Sequence, residues 1–274
     1  MTPTQKLLHA IQNILSRSRT ITMLAAKIRN QCNRIIIQRF GISDMSPIVN
    51  GEHFILNHIV PVCTSFFDIG ANKGEWSLHI LKINPHTTFQ LYEPGIKAFN
   101  MCTNRFELQQ NVCVNNFALS DSTGKIQFYE QDNAGEMSSA IQKWANGPCK
   151  TIEVDTTTID AELSRLNIEK ISYVKIDVEG FDLKVLKGAK QAIIGNKIGF
   201  IQFEYNHSWP LLGATLAEAY ELLEDNGYSI FLIKSEGLYI YDIKVYGEFY
   251  AFSNFIAVSP ENLPHIQPII KGAA

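Results

Sequence analysis

The stretch FFDIGANKGEWS, residues 66–77, carries an apolar run into an acid, Asp68, then through Gly70 and Gly74 into residues of helical pattern. Glycines where a strand meets a helix let a ligand approach the backbone, and the helix start supplies free amide N–H groups. By itself such a turn also fits an ordinary strand-to-helix connection. The segments around it decide the fold. From Cys63 onward, short apolar runs end in acidic or small residues and lead into helical stretches: CTSFFDIG, TTFQLYEP, NVCVNNFALSD, ISYVKIDVEG and IGFIQFEYN. Runs apolar on both faces suit strands covered on both sides, and alternation of strand and helix implies an α/β, doubly wound, mostly parallel sheet. The periodicity predicts helices over 75–83, 96–108, 182–194 and 216–226. YSIFLI and SNFIAVS read as two final strands, an antiparallel pair at one edge. KIQFYE and KTIEVDTT read as extra hairpin-like strands, and the loop between them, DNAGEMSSAIQKWANG, as a cover for the substrate.

Upstream, residues 4–40 contain neither proline nor glycine, and Leu7, Leu8, Ile11, Ile14 and Leu15 recur at helical spacing. Two or three helices are expected there, with 41–51 as a connection, so the chain divides into a helical appendage, 1–50, and a Rossmann-like domain, 51–274. The formal net charge is -3, which excludes a globally basic nucleic-acid binder. Yet Lys6, Arg17, Arg19, Lys27, Arg29, Arg34 and Arg39 precede the first acid, Asp44. Two readings of this segment stand side by side: a packing or homodimerisation module, and a peripheral contact with anionic lipid at the inner membrane face. Five cysteines without a CxxC pair support neither a disulfide framework nor structural zinc, and point to a reducing cytoplasm. Neither a run of ~18 apolar residues nor a signal-peptide core is present.

Glu93 ends the second core strand about twenty residues after the glycines, where an acid accepts hydrogen bonds from ribose hydroxyls. A nicotinamide dinucleotide would need the same acid, but its pyrophosphate favours a third glycine and is repelled by Asp68. The amino and sulfonium groups of S-adenosylmethionine are instead attracted to that carboxylate. Asn116 and the backbone around Ala118 lie where adenine would be read. In the fourth strand, alternation puts Lys175, Asp177 and Glu179 on one side at the ligand-binding edge. The fifth strand ends in Glu204, Tyr205, Asn206 and His207. Crowded carboxylates need a cation, a donor or a shared proton. Trp144, Tyr205 and Trp209 are read either as acceptor-stacking rings or as core.

With these residues laid out, the sequence resembles the FkbM family of methyltransferases. The matching segments are FFDIGANKGEWS, LYEP, FALSD with Gly124, TTTIDAEL, VKIDVEGFDLKVLKGA, FIQFEYN and SNFIAV. The resemblance implies a class I methyltransferase fold with an antiparallel last strand, S-adenosylmethionine as donor, and O-methylation of a saccharide or a polyketide-type natural product. It puts Asp68, Gly70, Asn72, Gly74, Glu93, Ala118 and Asp177 on the cofactor side, joined by Asn116 from the reading above, and Glu179, Glu204 and His207 on the catalytic side. His207 or Glu204 is expected to take the hydroxyl proton, with Glu179 orienting the acceptor. The less favoured version has Asp177, Glu179 and Glu204 hold a divalent metal. A nicotinamide-dependent oxidoreductase and a non-catalytic module of the same fold are the rivals. Five carboxylates kept at strand ends argue against the second.

Overall fold

The computed structural model describes residues 2–42, 44–131, 138–143 and 149–273, and the chain forms two compact units, Met1–Gly41 and Ile42–Ala274. The first contains two helices, α1 (Pro3–Leu15) and α2 (Arg19–Phe40). Thr2 opens α1 with a capping box, its hydroxyl accepting from the Gln5 amide while the Gln5 side chain accepts from the Thr2 amide. Ser18 caps α2 by accepting from the Ile21 amide.

The second unit runs through α3 (Glu52–Ile59), β1 (Ser65–Ile69), α4 (Glu75–Ile83), β2 (Thr88–Tyr92), α5 (Ile96–Phe106), β3 (Val112–Asn115) and β4 (Ala118–Leu119). It continues with β5 (Gly124–Gln131), β6 (Cys149–Thr157), α6 (Ile159–Arg165), β7 (Ile171–Ile176), α7 (Asp182–Lys187), α8 (Lys190–Ile194) and β8 (Ile198–Tyr205). Towards the carboxyl end lie α9 (Leu216–Glu224), β9 (Ser229–Lys234), β10 (Gly237–Ile240), β11 (Ser253–Val258) and β12 (Ile270–Ala273). The main sheet has the order β12-β10-β9-β11-β8-β7-β1-β2-β3. Strands β3, β2, β1, β7 and β8 are parallel, and β11 is antiparallel to both its neighbours, β8 and β9. This is the doubly wound sheet expected of a class I methyltransferase. Strand order turns back between β1 and β7, so the crevice of such a sheet opens at the carboxyl ends of those two strands.

The core explains the central strands. Every residue of β8 is buried, and all of β7 except Ser172. Phe89, Phe66, Tyr173 and Phe200 share one register across β2, β1, β7 and β8. Their ring centroids are 5.0, 5.6 and 5.9 Å apart in turn. Each such contact adds about 0.5–1.5 kcal/mol beyond area burial.

Three expectations about elements are revised. The run NVCVNNFALSD is not one strand. The Asn115 amide donates to Gln90 Oε1 and the Leu91 carbonyl, and that of Asn116 to the Glu93 and Pro94 carbonyls. Held there, the chain turns off, and β4 pairs with β6 in a second sheet of order β4-β6-β5. The helix expected over 182–194 breaks between α7 and α8, where a Cβ on Gly188 would lie 2.0 Å from the Ser120 carbonyl oxygen. SNFIAVS is antiparallel as expected but sits inside the sheet, all six residues of β11 being buried, and β10 and β12 form the edge. The loop expected to cover the substrate, Trp144 included, lies mostly outside the described residues.

Candidate functional site

At the end of β1 the chain turns through three left-handed residues, Gly70 (φ 82°), Asn72 (φ 47°) and Gly74 (φ 74°). The Gly70 and Ala71 amides both donate to the Tyr92 carbonyl, which ties the turn to β2. A Cβ on Gly70 would lie 1.9 Å from the Asp177 carbonyl oxygen, and one on Gly74 would lie 2.4 Å from the Phe106 ring. Gly74 begins α4 without a side-chain cap, so the first amides of that helix remain available. Asp68 is fully buried below the turn. Its Oδ2 accepts from Ser77 Oγ at 2.6 Å and its Oδ1 has no partner. Burial raises its pKa, opposed by the nearby Lys175 charge and the Ser77 bond. Asp68 supports the turn from beneath; it does not line the cavity above.

That cavity, about 620 Å³, lies over the sheet crossover. At one end, Glu93 Oε2 accepts from the Asn72 amide and Oε1 from the Gly95 amide, both at 2.8 Å. Burial pushes its carboxyl up to about 7, against the pull of those two bonds. Ala118, Leu119, Ile126 and Phe128 make an apolar wall beside it. Asn116 is not in the wall: its amide braces the turn after β2 from behind.

Towards β7 and β8 the cavity is lined by Lys175, Asp177, Glu179 and Glu204. Lys175 Nζ pairs with Asp177 Oδ2 at 2.8 Å. Burial opposes the lysine charge, but Asp177, Asp68 and Glu52 outweigh it and the pKa ends above its ordinary value. Glu179 takes a left-handed conformation (φ 52°), and its carbonyl accepts from Ser139 Oγ. Glu204 is buried and accepts from Asn206 Nδ2 at 2.6 Å. Burial first, then the charges of Asp177, Glu179 and Asp182, raise its pKa well above the ordinary carboxylate range. Asn254 of β11 is its register partner and also faces the cavity.

His207, expected at this end, is exposed, packs edge-on against Phe252 at 5.2 Å and is absent from the cavity wall. Tyr205 and Trp209 are buried core, their polar tips donating to Glu248 Oε2 and to the Glu204 carbonyl. Among the described residues, no cluster of three or more His, Cys, Asp or Glu side chains is arranged to hold a metal ion.

A further wall was not anticipated. His53 of α3 and His79 of α4 stack with centroids 3.7 Å apart and planes 2° from parallel. Beside them Trp76 lies below Lys175, whose Nζ is 5.7 Å from the ring centroid. Trp76 Nε1 and His79 Nε2 are buried without a hydrogen-bond partner. Burial, then the His53 and Lys82 charges, lower the His79 pKa. Glu52 holds α3 in place: Oε2 accepts from Asn50 Nδ2 (3.0 Å) and Oε1 from Gln202 Nε2 (2.7 Å), while Gln202 Oε1 accepts from the Tyr173 hydroxyl (2.6 Å). The available signal was Trp76 and His79 at i, i+3, which share a helix face immediately after the glycine turn.

A family model described as a methyltransferase FkbM domain matches residues 68–230. Over 155 residues the chain is 26% identical to 2-O-methyltransferase NoeI of Sinorhizobium fredii, a match covering 51% of this chain and 62% of that protein. Over 143 residues it is 25% identical to Methyltransferase 1 of Beauveria bassiana, covering 44% and 56%. The chain thus spans less than two thirds of each of these curated relatives. Among solved structures, N-methyltransferase NodS from Bradyrhizobium japonicum, in complex with S-adenosyl-L-homocysteine, aligns at a TM-score of 0.42 and 9% identity, covering 79% of this chain and 90% of that one.

Proposed function

The chain belongs to the FkbM methyltransferase family, and from that premise we propose that it moves the methyl group of S-adenosylmethionine to a hydroxyl oxygen of a saccharide or polyketide-type acceptor. The observation that carries this reading is one cavity lined by Glu93 with the apolar Ala118, Leu119 and Phe128 at one end and by Asp177, Glu179 and Glu204 at the other. The residues fit the donor. Asn72 Oδ1 is buried without a partner, and the uncapped start of α4 suits a carboxylate. Glu93 would hold the ribose hydroxyls, Ala118, Leu119 and Phe128 the base, and Asp177 with the glycine turn the amino-acid end. Bound there, the donor supplies an electrophilic methyl group.

The chain's own residues handle the acceptor. An alcohol is a weak nucleophile, and a positioned base contributes about 10²- to 10⁴-fold. Glu204 is that base in this reading, taking the hydroxyl proton on its carboxylate while Glu179 orients the acceptor. Lys175 neutralises Asp177 and so limits the repulsion Glu204 must overcome to ionise. Trp76 Nε1–H is a donor without a partner, and with His79 Nε2 it would pair with acceptor oxygens. The stacked histidines and the Trp76 ring add flat faces suited to a sugar ring.

Calorimetric titration with S-adenosylhomocysteine tests the donor assignment. Micromolar binding is expected, lost in Glu93→Ala, with no heat from NAD; binding of NAD in its place would reverse the reading. The affinity is also expected to depend on pH. Burial pushes the Glu93 carboxyl up to about 7, and its ionised form accepts better from ribose hydroxyls. Binding should therefore weaken by up to about tenfold per pH unit below 7, and Glu93→Gln should flatten the curve. The same raised pKa favours the protonated folded state. That stability is complete below the ordinary carboxylate pKa and is lost as pH rises through about 7.

A further inference from the structure

The first unit has a property that methyl transfer does not use. Residues 1–43 hold seven of the chain's 24 lysines and arginines and none of its 27 acids. In α1, Leu7, Leu8, Ile11, Ile14 and Leu15 fall within an arc of about 120° at helical spacing, with Lys6 and His9 outside it. In α2, Ile21, Leu24, Ile28, Cys32 and Ile35 fall within about 80°, with Arg19 on the opposite side, Arg34 well outside the stripe, and Lys27 and Arg29 on its two flanks. These stripes are uncovered: no residue of α1 is buried and in α2 only Phe40 is, while Leu7, Ile14, Leu24, Ile28 and Ile35 are 64, 68, 58, 55 and 67% exposed. Neither helix meets the length and hydropathy of a membrane span.

We propose that α1 and α2 are interfacial helices that dock on an anionic lipid surface, apolar stripes in the acyl boundary and Lys6, Lys27, Arg29 and Arg34 at the level of the phosphates. Three alternatives are less compatible with these residues. Both helices are too polar on one side to span a bilayer. Pairing with a second copy would oppose two segments of seven cations with no acid in either. Nucleic acid would engage the cations and leave the eleven exposed large apolar side chains of α1 and α2 in water. An anionic bilayer satisfies both chemistries at once, because apolar burial and attraction to acidic headgroups act on opposite sides of the same helix.

The experiment is cosedimentation of the full chain with sucrose-loaded vesicles of phosphatidylcholine with 30 mol% phosphatidylglycerol, and of phosphatidylcholine alone, in 0.15 M salt. Binding to the first and at least about tenfold weaker binding to the second is expected. The variant Leu7→Ser, Ile11→Ser, Leu24→Ser, Ile28→Ser should lose on the order of 100-fold in partitioning. Lys27→Gln, Arg29→Gln, Arg34→Gln should lose a similar factor, increasingly masked as salt rises. An unchanged melting temperature in both variants, and unchanged S-adenosylhomocysteine binding, shows that the second unit is intact. No sedimentation with either vesicle overturns the proposal. So does equal binding to both, retention by the serine variant with a change in oligomer size, or tighter binding to a 20-base-pair duplex than to the anionic vesicles.

Discussion

Gly70→Ala is expected to abolish S-adenosylhomocysteine binding and to lower the melting temperature by about 10 °C, since each kcal/mol moves a domain of this size by about 2–4 °C. Two strains combine at that position. An alanine at φ 82° costs about 1–2 kcal/mol in the left-handed region. Its Cβ would also sit 1.9 Å from the Asp177 carbonyl oxygen and 2.9 Å from the carbonyl carbon, both main-chain atoms. Relief requires β1 to move off β7, against the bond from the Asp177 amide to the Ile69 carbonyl (3.0 Å) and the Ile69–Ile176 register. Overpacking of that kind typically adds about 1–3 kcal/mol. Gly213→Ala is the matched control. Its φ is 69° and nothing lies within 4 Å of the new Cβ, so only the backbone strain of about 1–2 kcal/mol remains, and donor binding should be unchanged. Equal melting shifts in the two variants would mean that the β1–β7 contact is not what requires glycine.

Glu204→Gln should reduce methyl transfer to any accepted hydroxyl by about 10²- to 10⁴-fold, with S-adenosylhomocysteine affinity held within about threefold. The amide keeps the shape and an acceptor oxygen for Asn206 Nδ2 but cannot take a proton. The pH profile separates this from a packing defect. Burial and the neighbouring carboxylates hold Glu204 protonated beyond the ordinary carboxylate range. Wild-type turnover should therefore rise with pH through an apparent pKa well above that range, and the residual rate of the glutamine variant should lack the step. His207→Ala should stay within about threefold of wild type, because the imidazole is exposed and away from the cavity wall. A loss in His207→Ala matching that in Glu204→Gln would return the base assignment to the histidine. Rates are measured with radiolabelled donor on the first acceptor found by screening sugars and polyketide alcohols.

What could be read from the chain alone follows from the range of the forces involved. The glycine turn, the acid ending β2 and the alternating Lys175, Asp177 and Glu179 are local patterns, written within a few residues and legible for that reason. The exit of β4 into a second sheet depends on two asparagine side chains bonding to carbonyls more than twenty residues away. The break between α7 and α8 depends on the close approach of Ser120 to Gly188. Neither pairing leaves a periodic trace. His207 lies only three positions after Glu204, so proximity along the chain alone suggests a shared site. The strand stops at Tyr205, however, and the next residues turn, with Asn206 accepting from the Ser208 amide and hydroxyl. His53 and His79 are 26 positions apart on different helices, so their stacking arises only in the folded chain.

The Glu52 tether joins the His53 wall to the strand that carries the proposed base. Gln202 holds the α3 wall through Glu52, and it stands two residues before Glu204 on the same face of β8. The wall and the proposed base are therefore mounted on one strand, with Tyr173 as the anchor behind them. If Glu204 is the base, a substitution at Gln202 that widens the wall for a bulkier alcohol should also shift that carboxylate. Directed evolution towards new acceptors should accordingly select changes at 50, 52 and 202 together, and single substitutions there should trade turnover for breadth.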